Sequence, residues 1–152
     1  MKIAVSLSLV LVLGIALAAR ADDAKKDAKF EASKLEGKWT YVSGKKAGEN
    51  SAKEALAGTV EITKDKLTIP GPEGKPMPIG YKLDAKGSPV KIDMEILDGM
   101  FKGGKAEGII ELKGDELKLC YAMIMGDMGK RPAKLESTKD NGAFYFVLKR
   151  KK

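Results

Sequence analysis

No histidine occurs anywhere in the 152 residues. That absence removes the Ser-His-Asp and Cys-His relays, which need an imidazole to carry a proton near neutral pH. It also removes imidazole-ligated metal sites. Cysteine occurs once, as Cys120, so no disulfide can form within the chain and the fold must hold by packing. Aromatic residues make up 6% of the chain, with one tryptophan, Trp39. No surface motif of interleaved aromatic and basic residues is present, which argues against nucleic acid as a partner. Long apolar runs are equally scarce. The one such run, Ile3 to Leu17, is short for a bilayer-spanning helix, which needs roughly 20 residues.

What is there begins with an export signal. Lys2 supplies a small positive start, the apolar run follows, and Ala19-Arg20-Ala21 has the small-x-small pattern of a cleavage site. Residues 1–21 read as a signal peptide cleaved after Ala21, and the competing reading is an uncleaved anchor. No cysteine follows the run to receive a lipid. The expected product is secreted or periplasmic, with no membrane span after signal removal. It keeps 131 of the 152 residues, enough for one domain with a modest core. The net charge of +7 falls to +5 once Lys2 and Arg20 leave. Lysines and acids are interspersed, as on an ordinary solvated surface, and the basic run Lys149 to Lys152 reads as a tail.

Residues 22–34 form a charged leader that ends in a short helical turn near Phe30 to Leu35. From there to residue 152 one domain is expected. A first strand lies near Lys38–Ser43, and a helical turn is expected at Ser51–Leu56. The period then becomes two. Val60 and Ile62, Leu67 and Ile69, then Met77, Ile79, Tyr81 and Leu83 alternate with polar residues. Pro78 cannot donate to a ladder, so its strand is expected to start late or lie at an edge. Val90, Ile92, Met94 and Ile96 alternate cleanly, and a glycine-rich loop runs from Leu97 to Glu107. Gly114-Asp115 fits a two-residue turn with glycine first. That register sets Leu112 opposite Leu117, Ile110 opposite Leu119 and Glu111 opposite Lys118, with Cys120 outside, opposite Ile109. The closing strand is Ala143–Lys149. About eight short strands with turns every 8–12 residues predict an all-β fold, a small antiparallel eight-stranded barrel with a short N-terminal helical turn.

Leu35-Glu36-Gly37-Lys38-Trp39 resembles the G-x-W opening of lipocalin-like barrels of the calycin type. The stretch Gly108 to Tyr121, with Gly114-Asp115-Glu116-Leu117-Lys118-Leu119-Cys120, resembles the signature of a family of exported planctomycete proteins with a lipocalin-like domain. Arg131-Pro132 and the closing Val147-Leu148-Lys149-Arg150 fit the same family. The resemblance covers roughly Leu35 to Arg150 and implies a fold but no activity. No T-D-Y-type second motif or paired cysteines accompany it, so a ligand cavity does not follow from it. It does imply that Trp39 plugs one barrel end under the guanidinium of Arg150, an arrangement that contributes about 0.5–2 kcal/mol. The alternative is that Arg150 belongs to the basic tail.

Two further constellations carry chemistry. The inward positions are almost wholly apolar. A ligand, if one enters, would be a small apolar molecule lined by Tyr81, Tyr121, Ile79, Ile92, Met94 and Leu119, with the two tyrosines as hydroxyl contacts. The competing expectation is a filled barrel that acts through its outer surface and loops. A ligand-binding barrel would need a connected cavity of a few hundred Å3. Cys120, Met123, Met125 and Met128 fall within nine residues, and soft sulfur donors of this kind select Cu(I). Inward alternation of Met123, and the common use of Met as a gap filler, favour packing instead. Asp93 and Glu95 share a strand face with Lys91 and read as solvated. No cofactor is expected, and no enzymatic activity. Cys120 is expected beneath a covering segment, either Phe30 to Leu35 or the loop after Ile124.

Overall fold

Strict alternation builds the sheet. In the computed structural model, which describes residues 29–152, Val90, Ile92, Met94 and Ile96 are buried while Lys91, Asp93 and Glu95 between them are exposed. The signal peptide expected at residues 1–21, and the leader up to residue 28, lie outside the described residues. The described strands are β1 (Gly37–Lys46), β2 (Glu49–Asn50), β3 (Thr59–Ile62), β4 (Lys66–Pro70), β5 (Pro76–Asp84), β6 (Val90–Ile96), β7 (Lys105–Lys113), β8 (Glu116–Ile124) and β9 (Phe144–Arg150). Every pairing is antiparallel and sequential from β3 to β9, and β1 joins both β3 and β9. The result is a closed, eight-strand, lipocalin-like barrel. The ninth strand, β2, is a two-residue spur on the end of β1. Closure leaves the eight barrel strands without a free edge.

Short 3-10 turns at Ala32–Leu35 and Lys53–Leu56 stand where helical turns were expected. The β7–β8 hairpin has the expected register: Leu112 faces Leu117, Ile110 faces Leu119, Glu111 faces Lys118 and Ile109 faces Cys120. Gly114 has a φ of +59° at the first turn position, which a β-branched residue would resist.

The structure corrects two strand limits. The loop after β6 is shorter than expected, because Lys105 to Glu107 already pair with Ile124 to Ala122. Pro78 neither delays its strand nor marks an edge: β5 starts at Pro76 and lies between β4 and β6. The carbonyl of Pro78 accepts from the Leu97 amide. Its missing N–H points the same way, past Ile96, where β6 has already ended. The one bond that proline withholds is the reciprocal one to Leu97, just past the end of the β5–β6 ladder.

Sixteen buried residues among those described form the main core inside the barrel, from Leu35 and Trp39 to Leu148. A second, smaller cluster lies outside the barrel wall, where Leu135 and Tyr145 pack on Ile109, Cys120 and Ala143. Among the described residues, no helix is long and apolar enough to cross a membrane.

Candidate functional site

One barrel end is plugged. Trp39 is fully buried and opens β1 opposite Arg150, the last residue of β9. The Arg150 guanidinium carbon lies 4.3 Å from the centre of the indole. The indole N–H donates to the Leu35 carbonyl at 2.8 Å, which ties the 3-10 turn beneath the barrel. Arg150 also donates to the carbonyls of Glu36 and Lys34, and its Nε lies 3.3 Å from the Asp115 carboxylate. A Cβ at Gly37 would come within 3.1 Å of the guanidinium, so glycine at this position leaves room for the arginine. Arg150 is therefore part of the plug, not of the tail.

The other end is open. A cavity of about 70 Å3 lies inside it. Its lining includes Ile69 at the end of β4, Met77 at the start of β5, Ile96 at the end of β6, Gly104 just before β7 and Met123 at the end of β8. In an up-and-down meander these positions share one end, opposite Trp39. Four of the six expected lining residues are there: Ile79, Met94, Leu119 and Tyr121. Tyr81 and Ile92 are buried but do not line the cavity. The Tyr81 hydroxyl donates to the Thr63 carbonyl at 2.6 Å and is already satisfied.

Tyr41, which sequence reasoning passed over, takes the place expected for Tyr81. Its ring centre lies 5.3 Å from that of Phe146, and Tyr121 flanks the same phenylalanine at 6.2 Å. Burial pushes the Tyr41 phenol up to about 12. It pushes Tyr121 up as well, with the neighbouring Tyr41 adding to the shift. Both hydroxyls are therefore protonated at any physiological pH. The volume is well under the few hundred Å3 expected of a ligand-carrying barrel and under the usual 300–1,000 Å3 of ligand pockets.

The loops at the open end carry exposed apolar side chains. Leu97, Met100 and Phe101 lie between β6 and β7, and Met125 and Met128 form a small bridge after β8. The sulfur set does not converge. Met123 lines the cavity, Cys120 points outward into the second cluster, and Met125 and Met128 are exposed. Strand alternation sends Cys120 and Met123 to opposite faces of the wall, so the two sulfurs do not share one side. Among the described residues, no group of three His, Cys, Asp or Glu side chains is placed to hold a metal.

Arg131 plays a structural part that sequence reasoning did not assign. Its guanidinium donates to the carbonyl of Ile92 at 3.2 Å and to that of Gly108 at 2.8 Å. It also contacts the carboxylates of Asp93 and Glu107. Asp93 stays on the solvated face, as expected, and meets Arg131 there with its side chain 63% exposed. From this anchor, residues 131–143 run over the outer wall as a strap. Leu135 and Ala143 cover Cys120, and the Cys120 thiol donates to the Glu136 carbonyl at 3.3 Å. Burial pushes the thiol up to about 11. The cover is the segment after Ile124, one of the two expected.

A wider depression of about 590 Å3 lies on the outer face of β5 to β7, between Asp65 and Lys66 on one side and Leu97 and Ile124 on the other. It carries charges of both signs, among them Lys82, Glu95 and Lys105. Comparison with family models, curated proteins and solved structures finds no match to this chain.

Proposed function

We propose that this chain is an exported, non-enzymatic lipocalin-like barrel that holds a small apolar molecule at its open end. The observation that supports this reading is the pairing of one plugged end with one apolar, methionine-walled opening. Met77, Met94 and Met123 can shift rotamers at little cost, so the wall adapts to a guest. The 70 Å3 present admits only a small molecule or the end of a longer one. Enzymatic chemistry has no imidazole to draw on, and the thiol is buried, protonated and covered. The N-terminal sequence pattern supports export. The G-x-W opening, the hairpin and Arg131-Pro132 support kinship with the exported planctomycete proteins.

A second reading has its own observation. The interior is nearly filled, while the outer depression on β5 to β7 is several times larger than the cavity. A filled barrel that meets a protein partner through that face fits this contrast. Native mass spectrometry of protein purified from its source separates the two. A small organic adduct, lost on gentle activation, is expected for the first reading. An adduct-free mass, together with a co-purifying protein that is released when Glu95 and Lys105 are reversed in charge, would replace it with the second.

A further inference from the structure

The cavity is apolar with one exception. Among its seventeen described lining residues, the hydroxyls of Tyr41 and Tyr121 supply the only side-chain oxygen or nitrogen atoms. Neither hydroxyl bonds to a protein group among the described residues, and the two do not bond each other. Yet no fully enclosed side-chain oxygen or nitrogen among the described residues is left without a partner. The two hydroxyls therefore keep accessible surface, on residues that line the cavity. A guest that covered either hydroxyl without accepting from it would leave a buried donor unpaired, at a cost of about 1–3 kcal/mol. Tyr41 stands on β1, Phe146 on β9 and Tyr121 on β8, so the two donors lie on one side of the cavity.

We propose that Tyr41 and Tyr121 form a two-donor subsite for the oxygen of a small neutral molecule with an apolar body, of the ketone, aldehyde or ester class. This rests on the ligand-binding reading above and names its ligand class. A carbonyl oxygen has two lone pairs and can accept from both phenols. Among the described residues no lysine or arginine lines the cavity, so an ionised carboxylate would be buried without a counter-charge, at high cost. A pure hydrocarbon would leave both phenols unpaired. A cavity of this size takes the oxygen and a few carbons, and the rest of the body lies toward the exposed Met100 and Phe101 of the rim.

The test uses methyl-labelled methionine in NMR titrations, because Met77, Met94 and Met123 line the cavity while Met100, Met125 and Met128 do not. Three probes of equal length are compared: hexane, 2-hexanone and hexanoate. The ketone is expected to shift the cavity methionines and to bind about tenfold more tightly than hexane, as two modest net hydrogen bonds allow. Tyr41→Phe and Tyr121→Phe should each weaken the ketone about threefold to tenfold and leave hexane unchanged. The wild-type ratio of ketone to hexane decides the matter even if a variant folds poorly. Equal affinity for ketone and hexane, or tighter binding of hexanoate, would overturn the subsite and leave the ligand-binding barrel standing. Absence of any shift at Met77, Met94 and Met123 with all three probes would overturn both.

Discussion

Trp39 is held from three directions: Leu35 takes its N–H, Val60 pairs with it across the sheet, and Arg150 covers its face. Truncating a fully buried tryptophan removes that packing and leaves a cavity. Trp39→Ala should therefore cost about 3–5 kcal/mol of stability. Arg150→Met keeps a long stem but loses the cation over the ring and the two carbonyl contacts, and should cost about 2 kcal/mol. Urea unfolding followed by circular dichroism checks both, since Trp39 is the sole tryptophan and its fluorescence disappears in the first variant. An Arg150→Met variant as stable as wild type would return this residue to the basic tail. The plug residues are legible in the sequence because tryptophan is unique and its neighbours fit a known opening pattern. Tyr41 is not legible in the same way. Alternation says that a residue faces inward, but not at what height in the barrel it lies. Tyr81 and Tyr121 both face inward, yet Tyr81 bonds Thr63 and does not reach the cavity, while Tyr41 does.

Elements that follow a period were readable, and elements that depend on side chains meeting backbone were not. The β7–β8 hairpin is specified twice, by alternation and by a two-residue turn, and its register follows from either. The bulge between Tyr41 and Ser43, which turns Val42 out to solvent, has no such signal. The strap over residues 131–143 has none either. It is held by Arg131 at one end. Near the other end, Asn141 accepts from the amides of Thr138 and Ala143 and donates to the Glu136 carbonyl. Ser137 joins it by donating to the Ala143 carbonyl and accepting from the Gly48 amide. These contacts predict a locally openable cover rather than part of the cooperative core. Native Cys120 should react slowly with an aromatic disulfide reagent, being buried and protonated. Arg131→Ala should speed that reaction by about tenfold or more, with a smaller effect on the urea midpoint, because it frees the strap without breaking the barrel. Rapid stoichiometric labelling of the native wild-type protein would show that the strap does not shield the thiol. An equal rate in the variant would show that Arg131 does not anchor it.

The whole molecule inherits a pH profile from what the chain lacks. With no histidine there is no side chain of ordinary pKa between the carboxylates and the thiol. Stability should be level from about pH 6 to 8. The alkaline side is different. Burial raises Tyr41 to about 12, raises Tyr121, and raises Cys120 to about 11. In the unfolded chain these groups lose their protons nearer their ordinary values, about 10 for tyrosine and about 8.5 for cysteine. The folded barrel thus holds the protons more tightly than the unfolded chain does. The resulting stability is fully present below the unfolded values and is lost as pH rises through the folded ones. Thermal melts should keep one Tm from about pH 6 to 8 and then fall progressively above about pH 9. Tyr41→Phe removes one ionisation at the cavity wall, so its Tm should fall less steeply between about pH 10 and 12 than that of wild type. Two results would break the argument: a Tm that drifts by many degrees across the neutral range, or an alkaline slope that Tyr41→Phe leaves untouched. The second would mean that the Tyr41 hydroxyl is already solvated in the folded barrel as freely as in the unfolded chain, and so is not held in an apolar wall.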